Sequence, residues 1–280
     1  MRKLWVLLAA SAALSACDRT EGRNEQSTID ATPAALTYEG AEATDRKAIL
    51  AHGERMSWML GCKGCHGENL QGQNVTEGED EWGEMWAPNL TRLIPSYTDA
   101  ELDRAVRKGI PKDGREMWFM PSEAFAPVSD ADLTALVAYL RTIPQGGTPM
   151  PPIKRGPMFE KLVAAGELKP APGMIAKFEA AQPADLGPEH SRGRYIARTT
   201  CVECHNNRLQ GVPDFSPNLV EMAGAYEADE LKHMLTTGEG KTKKDLGLMT
   251  ATAKHRFAKL TPKEMDALVA YVKALGGSQR

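Results

Sequence analysis

The chain has 280 residues, of which 42% are hydrophobic and 25% are charged, and its formal net charge is −3. This length accommodates two domains of about 100 residues each, and the hydrophobic fraction is ordinary for a globular protein. The weakly acidic balance argues against a nucleic-acid partner, because domains that bind nucleic acid are typically basic.

The first residues have the pattern of a secretory signal peptide. Two basic residues precede an apolar run that is too short to cross a bilayer as a stable helix, and small residues follow it. Residues 14–17, Leu-Ser-Ala-Cys, resemble the bacterial lipobox, which implies cleavage before Cys17 and lipid attachment to this cysteine. We therefore predict a signal peptide over residues 1–16. The alternative is an ordinary signal peptide followed by an incidental cysteine.

The polar segment that follows, residues 17–43, is predicted to be a lipidated flexible tether. Asp18, directly after the cysteine, resembles the inner-membrane retention signal of bacterial lipoproteins. The predicted location is therefore the periplasmic face of a bacterial membrane, specifically the inner membrane, with the chain anchored through the lipid on Cys17.

Two copies of the pattern C-x-x-C-H occur, at residues 62–66 and 201–205. This pattern is typical of covalent haem attachment, in which both thiols add to haem vinyl groups and the histidine ligates the iron. We predict two covalently bound haem c groups, held by Cys62, Cys65 and His66 and by Cys201, Cys204 and His205. The alternative, a zinc or thiol-redox site, would need further Cys or His ligands, of which the chain has few.

The two motifs open two similar segments, so the chain contains an internal repeat. The sequence that runs from the first motif to Gly72 recurs from the second motif to Gly211, and the triplet Pro-Asn-Leu at 88–90 recurs at 217–219. We predict that each repeat forms an all-α domain of about three main helices around its haem.

The main helices are predicted from periodicity and from capping signals. Ser129 and Thr261 are each followed three residues later by an acidic residue, which indicates a helix N-terminus. The predicted helices cover residues 44–60, 98–108 and a stretch after Ser129 in the first repeat, and residues 188–199, 227–237 and a stretch after Thr261 in the second.

These helices define the predicted domain organisation. The first predicted haem domain covers residues 44–143, and the second covers residues 185–280. Residues 144–184 are rich in Pro and Gly and are predicted to be a linker, with one short helix at about 158–166.

The first repeat also contains about ten extra residues, rich in acidic side chains and Trp, between Gln73 and Ala87. Trp82 and Trp86 in this insertion either cap the first haem or anchor the loop. The second repeat instead carries several lysines between residues 241 and 259. Two surfaces of different charge favour two different partners, and the alternative is two ordinary solvated faces.

A methionine at equivalent positions of both repeats is the candidate sixth ligand of each iron. Met120 and Met249 lie 129 positions apart, the same offset that separates the two Pro-Asn-Leu triplets. A methionine ligand raises the reduction potential of haem iron. Met117 and Met85 have no such counterpart. Two core methionines that happen to align are one alternative, and His255 as the second ligand is another.

Both repeats resemble class I cytochrome c over their whole length. The tandem arrangement resembles bacterial dihaem cytochromes c of the membrane-anchored lipoprotein type, a group that includes cytochrome subunits of periplasmic dehydrogenases. Met120-Pro121 resembles the Met-Pro ligand site of the family. The resemblance also implies that the carbonyls of Pro88 and Pro217 accept a hydrogen bond from Nδ1 of the ligand histidine, which orients its ring. In the second repeat Met249 is followed by Thr.

We therefore predict a dihaem electron-transfer protein, not an enzyme, with no catalytic residues of its own. Electrons would pass between a redox protein as donor and another as acceptor, such as a dehydrogenase or a terminal oxidase. One alternative is a dihaem enzyme of the peroxidase or thiosulfate-oxidising type, which needs one open iron site. The other is a cytochrome subunit fixed within a dehydrogenase or oxidase complex.

Overall fold

The computed structural model describes residues 36–277. In the first repeat the helices are α1 (Arg46–Met59), α2 (Cys62–His66), α3 (Leu90–Leu93), α4 (Asp99–Lys108), α5 (Ser122–Phe125) and α6 (Asp130–Leu140). Between the repeats lie α7 (Pro157–Ala164) and α8 (Ala171–Glu179). The second repeat contains α9 (Ser191–Thr200), α10 (Val202–His205), α11 (Leu219–Met222), α12 (Ala228–Thr237), α13 (Leu248–His255) and α14 (Pro262–Gly277).

Short 3₁₀ turns and strands complete the secondary structure of the described residues. The 3₁₀ turns are Ile94–Ser96, Pro188–His190, Ala223–Ala225 and Phe257–Lys259. The strands are β1 (Gln73–Asn74), β2 (Gly83–Glu84), β3 (Trp86–Ala87) and β4 (Lys154–Arg155). β1 pairs with β3 and β2 pairs with β4, both antiparallel. The predicted all-α class is therefore confirmed, with only these two-residue strands added.

The helix ends follow the capping signals in the sequence. The backbone N–H of Asp132 donates to Oγ of Ser129 (3.1 Å), which begins α6. At the start of α14 the bonds are reciprocal: Glu264 N donates to Thr261 Oγ1 (3.2 Å), and Thr261 N donates to a Glu264 carboxylate oxygen (2.8 Å). These bonds satisfy N–H groups that have no partner within the helix, which fixes where each last helix starts.

In each domain the first and last helices cross at a glycine. A Cβ atom on Gly53 of α1 would lie 2.0 Å from the carbonyl oxygen of Ala135 in α6. A Cβ atom on Gly193 of α9 would lie 2.1 Å from the carbonyl oxygen of Ala267 in α14. Any side chain here would push the helices apart, so glycine allows the close crossing that builds each domain core.

The segment between the repeats is more ordered than its composition suggests. β4 pairs with β2, which lies in the insertion of the first repeat, and α8 packs on α5 and α4. Phe159 of α7 is fully buried against Trp118 and Phe119, whose ring centroids lie 5.1 and 5.8 Å away. The predicted short helix is α7, and α8 was not predicted. The linker therefore covers part of the first domain.

Residues 36–43, the end of the predicted tether, are packed against both domains. Tyr38 is 1% exposed, its N–H donates to Asp132 of the first domain (3.1 Å), and its hydroxyl bonds to Thr199 of the second. The next N–H, of Glu39, donates to Glu264 (2.8 Å). The expectation of a flexible tether is thus wrong for these residues, because a buried Tyr ring and two buried carboxylates hold them.

The remaining tether and the signal peptide, residues 1–35, lie outside the described residues, and so does Cys17. The described residues belong to one compact unit that contains both repeats. Within residues 36–277 none of the helices is both long enough and apolar enough to cross a membrane.

Candidate haem sites

The first attachment motif lies on α2, directly after the first helix of its domain. α1 ends at Met59, and the chain turns through Gly61 in the left-handed conformation (φ +76°) before the short helix begins. Residues three apart share a helix face, so Cys62 and Cys65 are presented together. Two thioether bonds to one porphyrin require this arrangement.

His66, the last residue of α2, is buried with 6% of its surface exposed. Its Nδ1 lies 2.8 Å from the carbonyl oxygen of Pro88 and donates to it, so Nε2 is left free for a metal. Burial lowers the pKa of His66, although the bond to Pro88 opposes this shift. The ring is therefore held neutral, which is the form that ligates iron.

The second motif reproduces this geometry at the start of the second domain. His205 is 8% exposed, and its Nδ1 lies 2.9 Å from the carbonyl oxygen of Pro217. Burial lowers the pKa of His205, again opposed by the proline carbonyl. Both prolines thus lie where the class I resemblance places them.

The loop after each motif is fixed by the same backbone hydrogen bonds. Glycine at 72 and at 211 donates to the carbonyl of the motif histidine, and leucine at 90 and at 219 donates to the carbonyl of an earlier leucine. The distances are 2.8 Å for Gly72–His66, 2.9 Å for Gly211–His205, 2.9 Å for Leu90–Leu70 and 2.9 Å for Leu219–Leu209. These bonds bring the proline to the histidine.

Asn206 follows the second motif where Gly67 follows the first, and the backbone is similar. Both residues have positive φ, +81° for Gly67 and +61° for Asn206. Asn tolerates this region better than most residues because its side chain can bond to nearby backbone. Here Oδ1 of Asn206 accepts from the N–H groups of Arg208 (2.9 Å) and Gln210 (3.2 Å). The departure from Gly therefore leaves the site intact.

The motif thiols lie in apolar surroundings. Burial is the largest cause that raises the pKa of Cys62 to about 12, of Cys65 to about 11 and of Cys204 to about 12. Cys201 is buried and its thiol pKa is also raised, mainly by burial. An environment that disfavours a thiolate suits a neutral thioether and the apolar body of a porphyrin.

The two candidate methionines lie in different local structures. Met120 precedes α5 in an irregular segment, after Phe119 with φ +61°, whereas Met249 lies in the first turn of α13. Both are half-buried and pack against the hydrophobic core. Met117 is half-buried there as well, and Met85 is fully buried. Met120 and Met249 as iron ligands therefore remain a prediction.

The other histidines have structural partners. Nε2 of His52 donates to the buried carboxylate of Asp132 at 2.7 Å, and exposed His233 lies 3.8 Å from Glu239. The His190 ring lies on the turn before α9, 6.4 Å from the Tyr271 ring.

His255, the alternative second ligand, stacks on Trp58 of the first domain with ring centroids 5.9 Å apart. Of the two insertion tryptophans, Trp82 contacts Phe119 edge-on at 5.4 Å, and the Trp86 indole N–H donates to Glu84 at 3.1 Å. The Trp82 ring thus contacts a residue outside the insertion, whereas the Trp86 bond lies within the insertion.

Each site therefore offers two thiols on one helical turn, a neutral histidine with Nε2 free and apolar surroundings, and these residues fit a covalently bound haem c. A sequence model of the family described as cytochrome c matches residues 50–144 and again residues 190–276. The chain belongs to the cytochrome c family. This membership confirms the predicted fold of two tandem cytochrome c domains and the prediction of an electron-carrying cytochrome.

Curated relatives include the cytochrome subunit of fructose dehydrogenase from Gluconobacter japonicus, which is 24% identical over 85% of this chain and 54% of its own length. The gluconate 2-dehydrogenase cytochrome c subunit from Pantoea cypripedii is 25% identical over 82% of this chain and 60% of its own. The cytochrome c subunit of quinone alcohol dehydrogenase from Gluconacetobacter polyoxogenes is 26% identical over 81% and 56%. The chain thus spans somewhat more than half the length of these relatives.

Two charged residues beside the motifs were not singled out from the sequence. Glu203 lies inside the second motif, and Arg256 follows α13, 53 residues later. Their side chains form an ion pair with 2.9 Å between Nη1 and Oε2. No local sequence pattern predicts a contact between residues this far apart. The available signal was the acidic residue at position 203, between the two cysteines of the second motif.

Proposed function

We propose that this chain is a dihaem cytochrome c that carries single electrons for a dehydrogenase at the periplasmic face of the inner membrane. The observation that carries the proposal is the commitment of Nδ1 of both His66 and His205 to a proline carbonyl. Each ring is thereby fixed as a neutral ligand with Nε2 available, next to two cysteines on one helical turn. The two sites repeat this geometry, which supports two haems rather than one.

In this proposal the residues of each site have distinct roles. Cys62 and Cys65, and likewise Cys201 and Cys204, bind haem c through thioether bonds, and the motif histidines ligate iron. When bound, haem supplies an iron that gains or loses one electron. Met120 and Met249 would be the methionine ligands of the two irons, and a soft thioether ligand favours the reduced state. The surrounding core excludes water, so a change in the charge of the iron would interact more strongly with neighbouring charges than it would in water.

The partner follows from the relatives. They are named as cytochrome subunits of fructose, gluconate and alcohol dehydrogenases. We therefore propose a dehydrogenase as electron donor and a second redox protein, such as a terminal oxidase, as acceptor. Because the chain spans only part of each relative, the identity of the dehydrogenase is left to experiment. The sequence signal before Cys17 supports export and lipid attachment at that residue.

The haem content is tested on the protein produced in a bacterial host that matures c-type cytochromes. The pyridine haemochrome assay should give two haems per chain. Replacing Cys62 and Cys65 by Ala should leave one haem, and so should replacing Cys201 and Cys204. A wild-type protein with one haem, or a double variant that retains two, would contradict the proposal.

Spectroscopy separates the electron carrier from an enzyme with an open iron. The oxidised protein should show two low-spin haems with the sulfur-to-iron charge-transfer band, and the reduced protein should be inert to carbon monoxide. A high-spin signal, or one haem that binds carbon monoxide, would favour the enzyme alternative.

The location is tested separately on the exported protein. Mass spectrometry of the mature N-terminus should find a lipidated Cys17, and Cys17→Ser should move the protein from the membrane fraction to the soluble periplasmic fraction. An N-terminus processed elsewhere, or membrane binding that survives the substitution, would remove the lipid anchor from the proposal.

A further inference from the structure

The interface between the two domains brings their haem-attachment regions together. α5, which follows Met120 in the first domain, contacts α9 and α10, the helices that carry the second motif. In the opposite direction α13, which contains Met249 in its first turn, ends directly before Arg256, and Arg256 contacts Met59, which precedes the first motif. Each domain thus places the segment that carries its candidate methionine beside the other domain's cysteines.

Arg256, at the end of α13, makes the contact in this second direction. Its Nε donates to the carbonyl oxygen of Met59, 2.9 Å away, at the end of α1. Its Nη1 donates to Glu203, also at 2.9 Å, inside the second motif. The guanidinium lies on Gly61, where a Cβ atom would be 3.2 Å from Cζ, next to Cys62. One side chain therefore links the approach to the first motif with the interior of the second.

The charge of Arg256 is held away from water. The side chain is only 12% exposed, and its Nη2 is buried without a hydrogen-bond partner among the described residues. The guanidinium lies against Gly61, next to Cys62, and bonds the carboxylate of Glu203, which stands between Cys201 and Cys204. The positive charge is thus close enough to act on both attachment sites.

Neighbouring residues hold this end of the interface in place. His255 stacks on Trp58 in α1, with ring planes 17° apart. Lys259 places its Nζ 5.6 Å from the centre of the same Trp58 ring, and Lys63 of the first motif lies 4.8 Å from it. Such stacking and cation–π contacts favour one arrangement of the two domains. Arg256 therefore lies in a fixed interface.

We propose that Arg256 is a positioning residue that fixes the two haem sites relative to each other and applies one positive charge to both. This inference rests on the proposed dihaem function. Exchange between the sites makes and breaks no bond: one electron leaves one iron and reaches the other. Its rate depends on the separation that the Arg256 contacts hold, and its driving force depends on the charges beside both irons.

The consequence is a shared electrostatic control of both reduction potentials. A nearby positive charge favours the reduced state of each iron, and Glu203 partly offsets it. Removing the guanidinium leaves the carboxylate of Glu203 without its partner in a site of low dielectric constant, so both potentials should fall. Removing the carboxylate instead should raise both.

The test is spectroelectrochemical titration of the full dihaem protein, combined with flash-induced electron exchange between the haems. We expect Arg256→Gln to retain two haems, to shift both midpoint potentials downward and to slow exchange severalfold. Arg256→Lys keeps the charge, so both midpoint potentials should stay close to those of the wild type. Its exchange rate should nevertheless remain below that of the wild type. Lys232→Gln is the matched control: Lys232 is an exposed cation of the same domain, paired with Asp266, and its loss should change neither quantity.

The outcomes separate this inference from the proposed function. Two haems with unchanged potentials in Arg256→Gln, or a shift in only one potential, would overturn the shared role of Arg256. If Arg256→Gln fails to take up haem, Glu203→Gln supplies the test. We expect it to raise both midpoint potentials, and unchanged potentials would contradict the inference. A wild-type protein that binds a single haem would instead overturn the dihaem function itself.

Discussion

On the side of the attachment histidine the two cytochrome domains use the same hydrogen bonds, whereas on the side of the candidate methionine they use different backbone. His66 and His205 each bond a proline carbonyl, and the backbone bonds made by Gly72 and Leu90 recur at Gly211 and Leu219. Met120 instead precedes Pro121 in an irregular segment, and Met249 begins a helix. Covalent attachment requires one geometry, while a single thioether can approach iron from more than one scaffold.

The methionine sides also differ in what covers them. In the first domain α8 from the linker packs on α5, directly after Met120. In the second domain Thr250 takes the place of Pro121, and its hydroxyl donates to the carbonyl oxygen of Gly238 at 2.6 Å, which ties α13 to α12. Leu248, beside Met249, is 62% exposed. The second haem should therefore be the more accessible from its methionine side.

The largest effect is expected where the domains agree most closely, at the crossing of first and last helices. Gly53→Ala and Gly193→Ala should each destabilise the protein by about 3 kcal/mol or more, because the new methyl group meets a helix backbone. Guanidinium unfolding followed by circular dichroism measures this. Gly224→Ala is the control, since a Cβ atom there meets nothing within 4 Å. Unequal losses at Gly53 and Gly193 would break the equivalence of the two cores.

The methionine sides are compared directly by Met120→Ala and Met249→Ala. Each substitution should remove about half of the sulfur-to-iron charge-transfer band and lower the potential of one haem, because the soft ligand is lost. Met117→Ala, at another half-buried methionine, should leave the band unchanged. A charge-transfer band in Met249→Ala as strong as in the wild type would show that another residue ligates the second iron. If His255→Ala then changes the ligation of that iron, His255 is the ligand.

The pH dependence of stability should distinguish the first domain from the second. Glu123 of α5 is buried, and burial raises its pKa to about 7, with Glu203 adding to the shift. Its counterpart at the repeat offset is Thr252, which has no charge. A carboxyl whose pKa is raised by folding stabilises the protein fully below the unfolded pKa of about 4.3. This contribution is lost as the pH rises to about 7.

Glu123→Gln should therefore abolish a decline in stability of the order of 1–3 kcal/mol between pH 4 and pH 8. The measurement is the free energy of unfolding at both pH values for the wild type and the variant. Equal pH dependence in the two proteins would show that Glu123 ionises normally. Glu230→Gln serves as control, because this carboxylate is solvent-accessible and its pKa is lowered, first by Lys241.

The smallest effect is expected at the lysines near the second site. Lys241 and Lys244 are exposed and pair with Glu230 and Glu239 at 2.8 and 2.9 Å, and because water screens such pairs, their loss should leave the free energy of unfolding nearly unchanged. Replacing residues 241, 243 and 244 by Gln should slow electron transfer severalfold with one partner only. The effect should vanish at high salt. Equal rates with all partners would remove the charge difference between the domains as a cause of partner choice.

Local sequence signals were sufficient for most of each domain. The C-x-x-C-H pattern predicts two attachment sites, and the capping residues Ser129 and Thr261 set the starts of α6 and α14 to the residue. Helix α4 also begins where its Thr98 capping box indicates. These features depend on residues only a few positions apart, so a single sequence contains them.

Long-range pairing accounts for what the sequence did not predict. Gly83 and Arg155 pair in neighbouring strands although 72 positions separate them, and neither segment has a strand pattern of its own. The composition of the linker indicated irregular structure, yet it folds because the first domain offers it an apolar surface. Arg256 and Met59, 197 positions apart, likewise meet only once both domains are in place.

The clamp formed by Tyr38 and Glu39 has a consequence for the order of assembly. Their N–H groups hold the capping carboxylates of both last helices, and the Glu39–Glu264 bond joins residues 225 positions apart. Tyr38 and Glu39 are synthesised early, but Glu264, which accepts the Glu39 bond, is synthesised 225 residues after Glu39. Closing so long a loop is slow, and no contacts offset its entropic cost until both domains have folded. Docking of residues 36–43 should therefore be the last folding event. Once docked, this segment holds the two folded domains together.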